Sequence, residues 1–239
     1  MKNTHKIYLG IILLSMLSTL NIYAQDEITD ETNSLPIEES TIYEESSIDE
    51  QSQAKVSVNF QTYIPYITFV NYQYQGDGSI FDLQDIIMEY TPDNQGIFQI
   101  ASFTGETATA YVYQMTEKGL YELAKFDNYN MVEDLRYTAA AQDEVKSLIF
   151  PSELVVGETY QSGYSNEIQK EIVDVLPTFD IGGMTFNQVL VIKVNASQQN
   201  GPLYYYYAPE YGLILIEKDL GQERIKVVQL ISTQGSIAE

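Results

Sequence analysis

Cysteine and tryptophan are absent from this 239-residue chain, and its single histidine is His5. Without thiols there are no disulfides, so a folded state has to rest on a hydrophobic core. Past residue 5 there is no imidazole either, which excludes Cys-His and Ser-His-Asp nucleophiles and the usual zinc ligands. Carboxylates, tyrosines, a Ser-Lys pair and oxygen-ligated metals are the chemistries left. Positive charge is also scarce, with 12 basic residues against 34 acidic ones and a net charge of −22. Such a surface repels nucleic-acid phosphate and anionic lipid while tolerating cationic partners.

Long apolar runs are missing as well. The longest stretch, Ile7 to Leu20, has 14 residues, short of the roughly 20 that a membrane-spanning helix needs. Lys2 and Lys6 precede it, and Ala24 closes it before an abrupt acidic turn. This is the layout of a secretory signal peptide cleaved near Ala24. No cysteine follows for lipid attachment, and the final VVQLISTQGSIAE has no apolar tail. The mature protein is therefore expected to be secreted, extracellular or at the cell surface, without a membrane tether and without nucleic-acid partners.

Residues 25–54 carry ten acids and no base among scattered Ser and Thr, too little apolar surface to offset the entropy of ordering, so an acidic disordered linker is expected there. Residues 55–239, with 24 acids and 10 bases, have the length of a single β-rich domain with one core.

From Lys55 the chain breaks into short runs rich in Val, Ile, Tyr, Phe and Thr, punctuated by Gly, Asn, Asp and Pro. Strands are predicted at 56–63, 66–74, 86–91, 96–103, 107–115, 119–125, 158–164, 167–176, 184–195, 203–208, 211–218 and 223–231. The fold class is all-β, mainly antiparallel: a curved sheet or β-sandwich with at most one or two short helices. Helix is the alternative reading at IFDLQDIIMEY (80–90) and at TAAAQDEVKSL (138–148). In YGLILIE, Leu213 and Leu215 alternate with Ile214 and Ile216, so both faces of that strand are covered.

Motifs for chemistry are weak. GYSNE at Gly163 lacks the second glycine of a nucleophile elbow, and SQAK at Ser52 has Ser-x-x-Lys spacing without companion motifs. GDGSIFDLQD, from Gly76 to Asp85, gathers Asp77, Ser79, Asp82 and Asp85 but puts Phe81, Asp82 and Met88 at the EF-hand positions that need an oxygen ligand, Gly and Glu. A polar turn is the better reading, and no metal, cofactor or catalytic residue is assigned. The chain has 20 tyrosines, 17 of them from residue 55 onward. Tyrosine is a strong strand former that pairs across strands, and packing is the favoured role for the run Tyr204 to Tyr207. YVYQMTEKGLYEL from Tyr111 and YYYYAPEYGLILI from Tyr204 match at five positions, including Glu117 with Glu210 and Gly119 with Gly212. Each reads as a hairpin whose glycine supplies a positive φ.

Five stretches carry a resemblance: YQGDGSIF (74–81), FQIASFTGETATAYVYQMTEKGL (98–120), PSELVVGETY (151–160), IGGMTFNQVLVI (181–192) and YYYYAPEYGLILIEK (204–218). Together they resemble a family of secreted or lipid-anchored β-rich proteins of Gram-positive bacteria, a domain with no assigned function. The resemblance covers roughly residues 72–220. Tyr160 stands where relatives commonly have Trp, and the lipoprotein cysteine is missing. It implies a fold more than an activity, and no site residue is carried over.

The expected function is noncatalytic binding of an apolar, glycan or protein ligand through the sheet's concave side or its hairpin loops. Tyr204, Tyr206, Tyr111 and Tyr113 are the candidate contacts, with Glu210 at the loop. The alternatives are a carboxylate-dependent hydrolase of extracellular polysaccharide, which needs two facing carboxylates that no spacing nominates, and a purely structural or partner-docking domain.

Overall fold

In a computed structural model, which describes residues 55–78, 83–105, 107–195 and 201–237, the chain is all-β. The expected signal peptide and acidic linker, Ser52, and Ser79 to Asp82 of the acidic turn lie outside the described residues. The strands are β1 (Ser57–Asn59), β2 (Phe69–Gly76), β3 (Gln84–Tyr90), β4 (Ile97–Thr104), β5 (Thr107–Thr116), β6 (Gly119–Asp127), β7 (Ser147–Pro151), β8 (Glu153–Val155), β9 (Thr159–Ser162), β10 (Ile168–Ile181), β11 (Met184–Asn195), β12 (Leu203–Ala208), β13 (Gly212–Asp219) and β14 (Arg224–Ser236).

Twelve of them form one antiparallel sheet in the order β7-β6-β5-β4-β3-β2-β14-β13-β12-β11-β10-β9, and β1 pairs with β8 in a small second sheet. Neighbours in the large sheet are consecutive in sequence, except where β14 returns to β2. That return joins the two meanders into a continuous curved sheet rather than a sandwich.

The curvature is legible from what converges on Tyr66. Its ring meets Tyr72 and Tyr74 of β2 edge-on, at centroid distances of 5.5 and 6.4 Å. Tyr111 and Tyr113 of β5 and Tyr205 and Tyr207 of β12 lie within its electrostatic reach. Strands far apart in the sheet come near one residue only if the sheet wraps around it. Tyr66 sits there at φ 70°, a left-handed conformation that costs a bulky residue energy and persists only where packing fixes it.

Tyr66 belongs to a segment that fills the concave side. Asn59 caps a 3₁₀ turn at Phe60–Tyr63 by accepting from the Gln61 amide, and Phe60, Tyr63, Ile64 and Tyr66 are all buried. Pro65 presses on Gly212, where a Cβ would come 2.4 Å from the proline Cα; the glycine's φ of +67° suits the hairpin, so both space and conformation demand it.

The edges β7 and β9 come together without a backbone ladder. The Tyr160 hydroxyl donates to Ile149 O at 2.8 Å, and the Gly163 amide donates to Ser147 Oγ at 2.9 Å. On the convex side two elements add a layer. The outer half of the β10–β11 hairpin leans over β12 to β14, where Phe179 stacks on Tyr206 at 5.0 Å and Gly182 approaches the Gln229 side chain. Over β4 to β6 lies the connection 128–146, anchored by Leu135 and Ala141 in a satellite core with Ile97, Val112 and Leu123.

Three expectations change. Neither helical alternative forms: the described part of 80–90 is β3, and 138–148 is a series of turns running into β7. Residues 60–63 are a 3₁₀ turn rather than the end of a strand. β7 and β8 were not predicted at all.

Tyr66→Ala removes the ring on which β2, β5 and β12 close. We expect a loss of about 3–5 kcal/mol in urea denaturation, while Tyr66→Phe, which keeps the ring, loses less than about 1.5 kcal/mol. Equal losses would show that the hydroxyl, not the ring, carries the packing.

Candidate functional site

The residues predicted as contacts divide between the two faces. Tyr111 and Tyr113 are concave: Tyr113 stacks on Phe98 at 5.3 Å, and burial raises both hydroxyl pKa values well above their ordinary value. Tyr204 and Tyr206 are convex. The Arg224 guanidinium carbon lies 3.5 Å above the Tyr204 ring, and the Tyr206 hydroxyl donates to Glu217 Oε2 at 2.6 Å. Burial first, and then that carboxylate, push the Tyr206 pKa up to about 12. Glu210 is exposed in its turn at φ 67°. The structure therefore does not join these five into one platform.

Loop length explains the split. Thr116 pairs directly with Gly119, a two-residue loop, whereas Ala208 pairs with Gly212 across three residues. One extra residue shifts the register by one, and a shift of one turns every side chain to the opposite face. Tyr205 and Tyr207, not Tyr204 and Tyr206, share the interior with Tyr111 and Tyr113. All four rings of the run are buried, at 4–8 % exposure.

A polar row that the sequence reading missed crosses the seam between β7 and β9. Glu122 of β6 pairs with Tyr113 on one side and with Ser147 of β7 on the other. Ser147 Oγ lies 3.4 Å from Ser162 Oγ on β9. Beyond it, on β10, is Lys170, paired with Tyr160 and Val194. The GYSNE turn, rejected as a nucleophile elbow, has a structural task here: it carries Tyr164, whose hydroxyl donates to Glu122 Oε1 at 2.9 Å.

Glu122 is fully buried and its Oε2 has no hydrogen-bond partner. Burial raises its pKa to about 7, against the Tyr164 hydrogen bond, the charges of Lys170 and Lys125, and a weaker hydrogen-bonding effect of Tyr113. Burial likewise lowers Lys170 to about 8, opposed by Glu122. The Lys170 ammonium lies 5.8 Å from the Tyr160 ring centroid and forms neither a hydrogen bond nor an ion pair with a protein group. It borders a cavity of about 40 Å³ lined by Ser162, Lys170, Tyr205, Tyr207 and aliphatic side chains. That volume holds a few waters or one small ion and is far below a typical organic-ligand pocket.

The other notable feature is the connection 128–146. Gln99, buried on β4, staples it: Gln99 Nε2 donates to Glu133 O and Glu89 Oε2, and Oε1 accepts from the Leu135 amide, each at 2.8 Å. Arg136 lies over the Tyr90 ring at 5.0 Å and pairs with Asp134, while the Tyr137 hydroxyl donates to Asp93. From this fixed frame Met131 (73 % exposed), Val132 (67 %), Tyr137 (52 %) and Val145 (52 %) face solvent.

Comparison with protein-family models, with curated proteins and with solved structures gave no significant match.

Because folding raises the Glu122 pKa, ionising it costs stability as pH rises from about 4.5 through about 7, in full on the order of 3 kcal/mol. Lys170, which titrates near 8, stays mostly charged throughout that window. In urea denaturation at pH 5 and pH 7.5, wild type is expected to lose stability by that order relative to Glu122→Gln. Identical pH dependence in both proteins would mean that Glu122 is solvated.

Proposed function

We propose that this protein is an exported, noncatalytic binding domain that docks a protein partner on the connection 128–146. The observation that carries the reading is this connection itself: 19 residues without regular structure between β6 and β7, yet pinned by Gln99 and the Leu135 anchor. Ordered connections of this length are uncommon in compact domains, and binding is a frequent reason for them. A rigid frame presenting two aliphatic side chains, a methionine and a tyrosine binds without first losing loop entropy. Glu133, Asp134, Asp143 and Glu144 are exposed around these side chains, which favours a partner with an apolar centre and a basic rim.

The concave side, the other surface considered for binding, is occupied by residues 60–66 and by the rings around Tyr66, which favours the outer surface. Against a polysaccharide hydrolase stands the burial pattern: among the described residues Glu122 is the one buried carboxylate, beside a chamber of about 40 Å³, and glycoside hydrolysis requires two facing carboxyls and room for a sugar.

A photo-crosslinking residue at Val132, in the cells that make the protein, is expected to give one discrete protein adduct. Met131→Asp with Val145→Asp should abolish it without altering the melting temperature. An adduct that survives those changes, or forms equally from a crosslinker at exposed Glu153, would refute the docking surface. Release of reducing sugar from wall polysaccharide by wild type but not by Glu122→Gln would transfer the assignment to a hydrolase.

A further inference from the structure

We propose that the cavity beside Lys170 is a binding site for one small monovalent anion, a halide being the class it fits best. The chamber's lining is one-sided in its chemistry. Lys170, only 7 % exposed, brings an ammonium with three donors, and Ser162, Tyr205 and Tyr207 bring hydroxyls. The Tyr205 and Tyr207 hydroxyls make no hydrogen bond within the protein. No acidic side chain lines the space, and Ile192 and Val194 close it with hydrocarbon. An ammonium and hydroxyls that can turn their O–H groups inward, with no carboxylate among them, favour negative charge. A volume of about 40 Å³ admits a monoatomic ion and leaves no room for a phosphate ester or a sugar.

The energetics point the same way. A buried ammonium without a counter-ion in contact is costly, by several kcal/mol per ion in general. Glu122, the acid that acts on Lys170, makes no ion pair with it and does not line the chamber. An anion at Nζ supplies the missing contact. Entry needs no broken backbone ladder, because the chamber adjoins the seam where β7 and β9 are joined by side chains alone.

Occupancy is coupled to a proton. Glu122 faces Tyr111 and Tyr113 from β5, Tyr164 from the β9–β10 turn, Lys125 from its own strand and Lys170 from β10; β7 contributes the uncharged Ser147. Lys170 faces Tyr160 from β9 and Tyr205 and Tyr207 from β12. Glu122 is thus the one buried carboxyl of the cluster, Lys125 being paired with the exposed Asp127. Once an anion neutralises Lys170, the carboxylate loses its stabilising charge and takes up a proton. Anion binding is therefore tighter at pH 6 than at pH 8.

The test is thermal denaturation of the full protein in sodium chloride or bromide, with sodium gluconate holding ionic strength constant. Wild type should show a saturable rise in Tm of roughly 3–6 °C with halide tenfold above its Kd, larger at pH 6 than at pH 8. Lys170→Met should abolish the rise. Glu122→Gln should retain it at pH 6. Equal melting in chloride and gluconate, or an undiminished halide response in Lys170→Met, would overturn the site. If Lys170→Met does not fold, bromide-soaked wild-type crystals decide: an anomalous peak beside Lys170 Nζ supports the proposal, and its absence refutes it.

Discussion

The dominant constraint on this fold is the volume inside a sheet of this width. Eight strands close around an interior that ordinary side chains fill, and wider barrels enclose cavities or channels unless something else occupies them. Here twelve strands wrap the concave side, and the chain fills it with the bulkiest residues it has. Tyrosines from β2, β5 and β12 project inward, and residues 60–66 supply a core of their own around Tyr66. The abundance of tyrosine and the internal segment are thus two parts of one solution. Burial of these rings supplies what disulfides cannot in a chain without cysteine.

Filling an interior with tyrosine creates a second requirement, since each buried hydroxyl needs a partner or nearby polar space. The partners are mostly backbone groups from distant segments. Tyr63 donates to Gln188 O, Tyr74 to Leu213 O and Tyr160 to Ile149 O, while Tyr72 accepts the Thr68 and Phe69 amides. These bonds do more than satisfy the ring. They hold segments 125 and 139 positions apart in sequence in fixed registration, and at the seam one of them takes the place of a missing ladder.

How much of this was written in the sequence depends on the scale of the interaction. Alternation of apolar and polar residues is local, so the strands from β2 to β6 and from β9 to β14 could be read within a few residues. β7 and β8 could not, because their brief runs flank Pro151 and follow an Ala-rich stretch whose helix propensity is overridden by the anchoring of Leu135 and Ala141. The aromatic echo was real at the level of hairpins, with a positive-φ glycine in each, but the facing of its tyrosines hinged on one loop residue. Glu122 and Lys170 did leave a local sign: each interrupts an apolar alternation, Leu120-Glu122-Ala124 and Ile168-Lys170-Ile172. What no local pattern contains is that the two edges of the sheet meet, which is what brings these charges within reach of each other.

The meeting of those edges also bears on why the charges persist there. Exposed sheet edges invite pairing with other chains, and continuing β7 alongside β9 would remove them. Instead the chain leaves β7 at Pro151 and sends β8 to pair with β1, so the seam is closed by Ser147, Ser162, Tyr160 and Gly163. An interior otherwise packed with rings would accept leucine or methionine at positions 122 and 170, and replacing buried charges by apolar residues of similar volume is often neutral or stabilising. A buried lysine without an ion pair and a buried carboxyl pushed toward its neutral form are therefore poorly explained as supports of the fold. They are better explained by a guest that completes the ammonium's coordination while the carboxyl gains a proton, at the one place in the sheet where side chains rather than backbone hold the edges together.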